Sequence, residues 1–154
     1  MLKKIFIYLF LLFLSSCGYE PIHSKKNAIK YNFSISEINF IGDREINLKI
    51  KQKLNNYTLS NKDKNFILKI SSISEKNVLA KNTTGDATNF KNTISINIEL
   101  IMNGKLKSNF VILESFNYDN TSNKFDLKRY EKEIKGNLAE AATDKLIFRL
   151  SNIQ

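Results

Sequence analysis

The chain has 154 residues and a formal net charge of +9, enough length for one domain with a single core. One cysteine excludes an internal disulfide, and one histidine and five glycines leave no material for a zinc site, a Ser-His-Asp or Cys-His arrangement, a Walker loop or a G-x-G-x-x-G turn. The basic balance comes from 21 Lys against 3 Arg in a chain also rich in Asn and Ile, a bias that an AT-rich genome produces, so charge alone implies no more than a solvated surface.

Met1-Leu2-Lys3-Lys4 is a short positive segment, and Ile5 to Leu14 is an uncharged apolar run of ten residues. Ser15-Ser16 and Cys17 follow, the layout of a secretory signal peptide over residues 1–16. Ten residues fall short of the ~20 that a helix needs to cross a bilayer, and no second stretch is long enough. Leu14-Ser15-Ser16-Cys17 resembles the lipobox of bacterial lipoproteins, which implies thioether lipidation of Cys17, further acylation such as palmitate, and cleavage before it. Gly18 takes the place of the aspartate that retains such proteins at the inner membrane, so outer-membrane anchorage on the periplasmic side is expected. Export also argues against a nucleic-acid partner.

Residues 17–29 lack sustained periodicity and hold the only proline, Pro21, and His23; they read as a tether. The domain spans residues 30–154. Tyr31, Phe33 and Ile35 alternate with polar residues as a strand does. Gly42-Asp43 breaks it, and Asp43 can cap a helix whose apolar face is Ile46, Ile50, Leu54 and Tyr57. Phe66, Leu68 and Ile70 mark a second strand from Asn65 to Glu75. Residues 76–90 read as a loop. Ile94, Ile96, Ile98, Leu100 and Met102 alternate in a third strand, and Asn103-Gly104 is the preferred pair for a type I′ hairpin turn. Lys105 to Tyr118 is the returning strand. Asp126 opens a long helix with a stripe of Leu127, Tyr130, Ile134, Leu138, Ala141 and Ala142.

The order β-α-β-β-β-α predicts an α/β (α+β) two-layer sandwich: a four-stranded, mostly antiparallel sheet with two helices on one face. The helix-linked first pair of strands is parallel. A two-residue turn with regular pairing sets Ile96 against Val111 and Ile94 against Leu113, on the core side. Phe110, Ile112, Phe116 and Tyr118 then point away from the helices. Such an apolar row is either a contact surface for a partner or acyl chain, or a face that the 76–90 loop or the tether covers. On this register Phe110→Asp with Ile112→Asp spares the fold and Val111→Asp unfolds it. Glu99, Glu114 and Asp119 are acids without a supporting catalytic context, so no enzymatic activity, cofactor or metal is expected.

Several segments, in order, resemble one family. Cys17-Gly18-Tyr19-Glu20-Pro21, Leu79 to Phe90 with its polar Gly85 turn, Ser115-Phe116-Asn117-Tyr118-Asp119-Asn120 and the alanine-rich Asn137 to Leu150 resemble the LPS-assembly lipoprotein LptE family. The resemblance implies a plug that helps assemble the LptD β-barrel and assists lipopolysaccharide (LPS) transport across the Gram-negative outer membrane. It implies LPS contact by a basic residue in the turn before the third strand, which Lys81 matches. The family's second basic position falls near Asn109 and Phe110, which are not basic; Lys105 or Lys107 at the hairpin tip are the substitutes. A stand-alone periplasmic lipid- or ligand-binding lipoprotein is the alternative function.

Overall fold

The computed structural model describes residues 32–58 and 62–153. The signal peptide, Cys17, the tether with His23, and Tyr31 lie outside the described residues. The elements are β1 (Phe33–Gly42), α1 (Arg44–Thr58), β2 (Lys64–Lys81), β3 (Ala87–Met102), β4 (Lys105–Asp119) and α2 (Lys124–Ser151). They form one four-stranded sheet in the order β1-β2-β3-β4. β1 pairs parallel with β2 because α1 returns the chain; the other pairs are antiparallel hairpins. The expected α+β architecture is therefore the observed one.

One face of the sheet supplies the core. Phe33 and Ile35 of β1, Phe66, Leu68 and Ile70 of β2, and Ile94, Ile96, Ile98 and Leu100 of β3 are buried beneath the helices. Alternation along each strand puts these residues on one side. α1 packs on β1, α2 on β3 and β4, and the helices on each other. α1 inserts Ile46, Ile50 and Leu54, while Tyr57 stacks on Phe33 with ring centroids 5.0 Å apart. α2 buries Leu127, Ile134, Leu138, Ala139, Ala142, Leu146, Ile147 and Leu150. Ala141 and Tyr130 are exposed, correcting two positions of the sequence stripe: over 28 residues the buried band drifts around the helix, bringing Ala139 inward.

The start of α2 also lies earlier than expected. Asn123, not Asp126, is its cap: the Asn123 side-chain oxygen Oδ1 accepts from Phe125 N and Asp126 N, and its side-chain amide Nδ2 donates to the Asp126 carboxylate. The segment 76–90 is not a loop. β2 and β3 continue through it as a hairpin closed by Asn82, whose side chain accepts from Thr84 N and Asp86 N. Few apolar residues alternate there, so hydrophobic periodicity could not reveal the strands.

The β1–α1 junction joins all the layers. Gly42 has φ +96°, and a Cβ there would stand 2.0 Å from the Ser72 carbonyl oxygen of β2. The same oxygen accepts from Asp43 N at 3.0 Å. The Asp43 carboxylate accepts from Glu45 N and Ile46 N and pairs with Lys135 of α2 at 3.0 Å. Burial works to raise the Asp43 pKa, but the Ile46 amide, Lys135 and the Glu45 amide together outweigh it and hold it below the ordinary carboxylate value. For Lys135, burial works downward and is outweighed by Asp43 and Glu45, so its pKa lies above the ordinary lysine value.

Two outcomes follow from this junction. Gly42→Ala combines a left-handed backbone with a backbone clash and should cost at least ~2 kcal/mol in denaturant unfolding. The lowered Asp43 pKa contributes stability that is present above the ordinary carboxylate value and lost as pH falls through the folded value. Asp43→Asn should keep a cap but flatten this loss below about pH 4, whereas Asp43→Ala should cost ~1 kcal/mol more at neutral pH. Melts of the three proteins across acid pH measure both effects.

Candidate functional site: the open face of the sheet

The β3–β4 turn forms as expected. Asn103 and Gly104 both have positive φ, 52° and 73°, and Met102 pairs with Lys105. The register then shifts. Ile101 pairs with Leu106 but Leu100 with Ser108, leaving Lys107 as an extra residue on β4. Beyond this bulge Ile96 faces Ile112, not Val111, and Ile94 faces Glu114, not Leu113. Every β4 side chain after Lys107 is thereby on the face opposite to the one expected from regular pairing.

The predicted contact row is thus turned inward. Ile112 and Tyr118 are buried. Phe110 lies under the Arg149 guanidinium of α2, 4.7 Å from the ring centroid. Phe116 shares their parity at the less covered margin and remains 46% exposed. The Tyr118 hydroxyl donates to Glu131 of α2 at 2.9 Å, and its ring packs against Phe90 and Tyr130. Burial, then the Glu131 carboxylate, pushes the Tyr118 pKa far up, so the phenol stays protonated as a donor. Lys76 pairs with Glu131 and lies over Phe90. These side chains fix α2 to the sheet. The exchange of faces is favourable because Phe, Ile, Phe and Tyr bury more apolar area than Val, Leu, Ser and Asn.

The outward set is different. Val111 and Leu113 are 50% and 63% exposed, and Ile73 of β2 and Ile41 of β1 are 56% and 71% exposed. Register aligns Ile41, Ser71, Asn97 and Val111 across the four strands, and Ile73, Ser95 and Leu113 in the next row. Apolar side chains set among small polar ones make a face that water wets but a partner can dry. The signal for it was in the sequence: Ser115 and Asn117 share the parity of Val111 and Leu113, so alternation named the outer face where the turn rule did not.

The candidate lysines occupy opposite ends. Lys81 pairs with Ala87 at the β2–β3 tip, while Lys105 and Lys107 flank the β3–β4 turn. Fifteen residue steps of β3 separate Ala87 from Met102, about 50 Å at ~3.4 Å per residue. Lys81 therefore stands at the opposite end of the sheet from Lys105 and Lys107. The three candidate acids also stand apart. Glu99 pairs with Lys69 on the open face, Glu114 with Lys145 on the helical face, and Asp119 accepts from Asn89 at the β2–β3 end. Among the described residues no three metal-ligating side chains gather. Two depressions of about 280 Å³ each lie on the helical layer, one beside Leu127 and Tyr130, the other beside Leu48 and Lys135.

No family model matches the chain, and no curated protein matches it by sequence. Solved structures do match. The domain resembles rare lipoprotein B from Shewanella oneidensis, with a TM-score of 0.58 at 13% identity over 73% of this chain and 91% of that one. It resembles a minor lipoprotein from Acinetobacter baumannii, with a TM-score of 0.57 at 9% identity over 79% and 91%. It also resembles lipoprotein B from Nitrosomonas europaea, with a TM-score of 0.55 at 12% identity over 79% and 86%. The chain thus has the fold of these bacterial lipoproteins.

The assignment of faces is directly testable. Val111→Asp with Leu113→Asp should shift stability by less than ~1 kcal/mol, because both charges meet water. Ile112→Asp places a charge under α2 and should abolish folding or cost ~3 kcal/mol or more. Circular-dichroism melts that reversed this order would restore regular pairing beyond the turn.

Proposed function

We propose that this protein is a non-enzymatic outer-membrane lipoprotein that sits in a β-barrel of the LptD type, helps assemble it, and assists delivery of LPS to the cell surface. The observation that carries the reading is the shared β-α-β-β-β-α fold with solved bacterial lipoproteins, in a chain whose first 17 residues have a lipoprotein signal layout. The ordered LptE-like segments in the sequence support it independently.

The open face suits a barrel interior. Inward-facing barrel positions are largely polar, and a plug must meet them without a wholly greasy surface. The row Ile41, Ser71, Asn97 and Val111 supplies both kinds of contact. In this reading Lys81, on the ordered β2–β3 turn, is the residue placed to meet an LPS phosphate, as a point charge rather than as half of a clamp. A lipid binder acting alone needs an enclosed apolar site, usually 300 Å³ or more even for a drug-sized ligand. Among the described residues the two depressions on the helical layer are open and have charged residues in their walls, unlike such a site.

Two experiments test the proposal. A tagged, detergent-solubilised protein should co-purify with a large outer-membrane barrel, and Val111→Asp with Leu113→Asp should lower the yield at least tenfold without altering the melt. A tag that brings down no barrel refutes the plug. Cys17→Ala should release the protein from membranes in cells lacking the barrel, since loss of all acyl chains removes the anchor. Unchanged retention in those cells would place the anchor elsewhere.

A further inference from the structure

We infer that the β3–β4 hairpin end of the domain is a membrane-contacting surface that rests on anionic phospholipid headgroups; that a bilayer is within its reach rests on the lipoprotein reading above. Charge is the first argument. Lys62, Lys64, Lys105 and Lys107 gather at this end, against Asp63 and Glu37. At the opposite end Lys76, Lys81, Lys91, Lys124, Lys128 and Arg129 stand among Glu75, Asp86, Asp119, Asp126 and Glu131, so the cations there are more nearly matched. The hairpin end therefore offers the larger local excess of cations to an anionic surface.

The shape of the hairpin is the second argument. Leu106 stands between Lys105 and Lys107 and is 63% exposed. Across the ladder it continues into Ile101 of β3 and Ile67 of β2, an apolar row three strands wide at the rim of the open face. The bulge at Lys107 holds the two lysines beside this row, and a tight turn presents it. Lysine stems can lie along apolar surface while their ammonium groups reach phosphates, the arrangement that interfacial segments use.

The test uses the mature chain with Cys17→Ala, so that no acyl chain contributes. Flotation with vesicles of phosphatidylethanolamine and phosphatidylglycerol should carry the protein up, and vesicles of phosphatidylcholine should not. Lys105→Gln with Lys107→Gln should weaken binding about 25-fold, roughly fivefold per lysine. Leu106→Ser should weaken it without changing its salt dependence. Lys81→Gln with Lys91→Gln, at the other end, should leave it unchanged. The inference is overturned if the protein does not float, or if the tip pair weakens binding as much as the hairpin pair. Intact mass of the cell-made protein separates the two readings: an unmodified Cys17 refutes the anchor, while hairpin-dependent flotation stands on its own.

Discussion

The domain is held together at the turn where β1 becomes α1. Four elements meet there on a few atoms: the Ser72 carbonyl of β2 accepts from Asp43, the Asp43 carboxylate caps α1, and Lys135 of α2 closes the pair. The Ser72 hydroxyl, itself buried, donates to Asn47 of α1 at 2.7 Å. Gly42 permits the close approach that makes all of this possible. Parallel pairing of β1 with β2, the helix on its face and the angle at which α2 crosses α1 all depend on this junction. The more exposed ion pairs between the helices, Lys49 with Glu140 and Lys53 with Asp144, add little by comparison because water screens them.

Much of this was legible from residue type and spacing. Alternation gave β1, the first part of β2, β3 and β4; Gly42-Asp43 gave the first cap; Asn103-Gly104 gave the hairpin turn. The extension of β2 and β3 through residues 76–90 was not legible, because strands at a sheet's polar end are held by backbone pairing and carry no apolar rhythm. The candidate contact row failed for a different reason. Two local rules disagreed on β4: an unbulged turn turned Phe110 and Ile112 outward, while alternation with Ser115 and Asn117 turned them inward. Burial of the larger side chains decides such a conflict, since a single unpaired residue costs less than leaving Ile112 and Tyr118 in water.

The resulting molecule is graded along its long axis. One end gathers lysines around Leu106, the middle of the open face alternates Ile, Val and Leu with Ser and Asn, and the far end carries an ordered Asn82–Asp86 turn beside Lys81. Charge, mixed polarity and an ordered turn thus succeed one another along a single sheet face. The helical layer behind is closed by Tyr118, Glu131 and Lys76, which leaves the sheet as the working surface.

The bulge at Lys107 also has a consequence for how the chain reaches its native state. The same type I′ turn is compatible with a slipped β4, in which the ladder runs on regularly from Met102 and Lys105. That isomer would show Phe110, Ile112 and Tyr118 to solvent and give α2 a poor surface to dock on. It forms from purely local contacts, whereas the native register is rewarded only once α2 arrives from the end of the chain. Slipped molecules must unzip most of β4 before they can correct themselves. The slipped hairpin is therefore the natural competitor of the native register, and α2, the last element in the chain, is what decides between them.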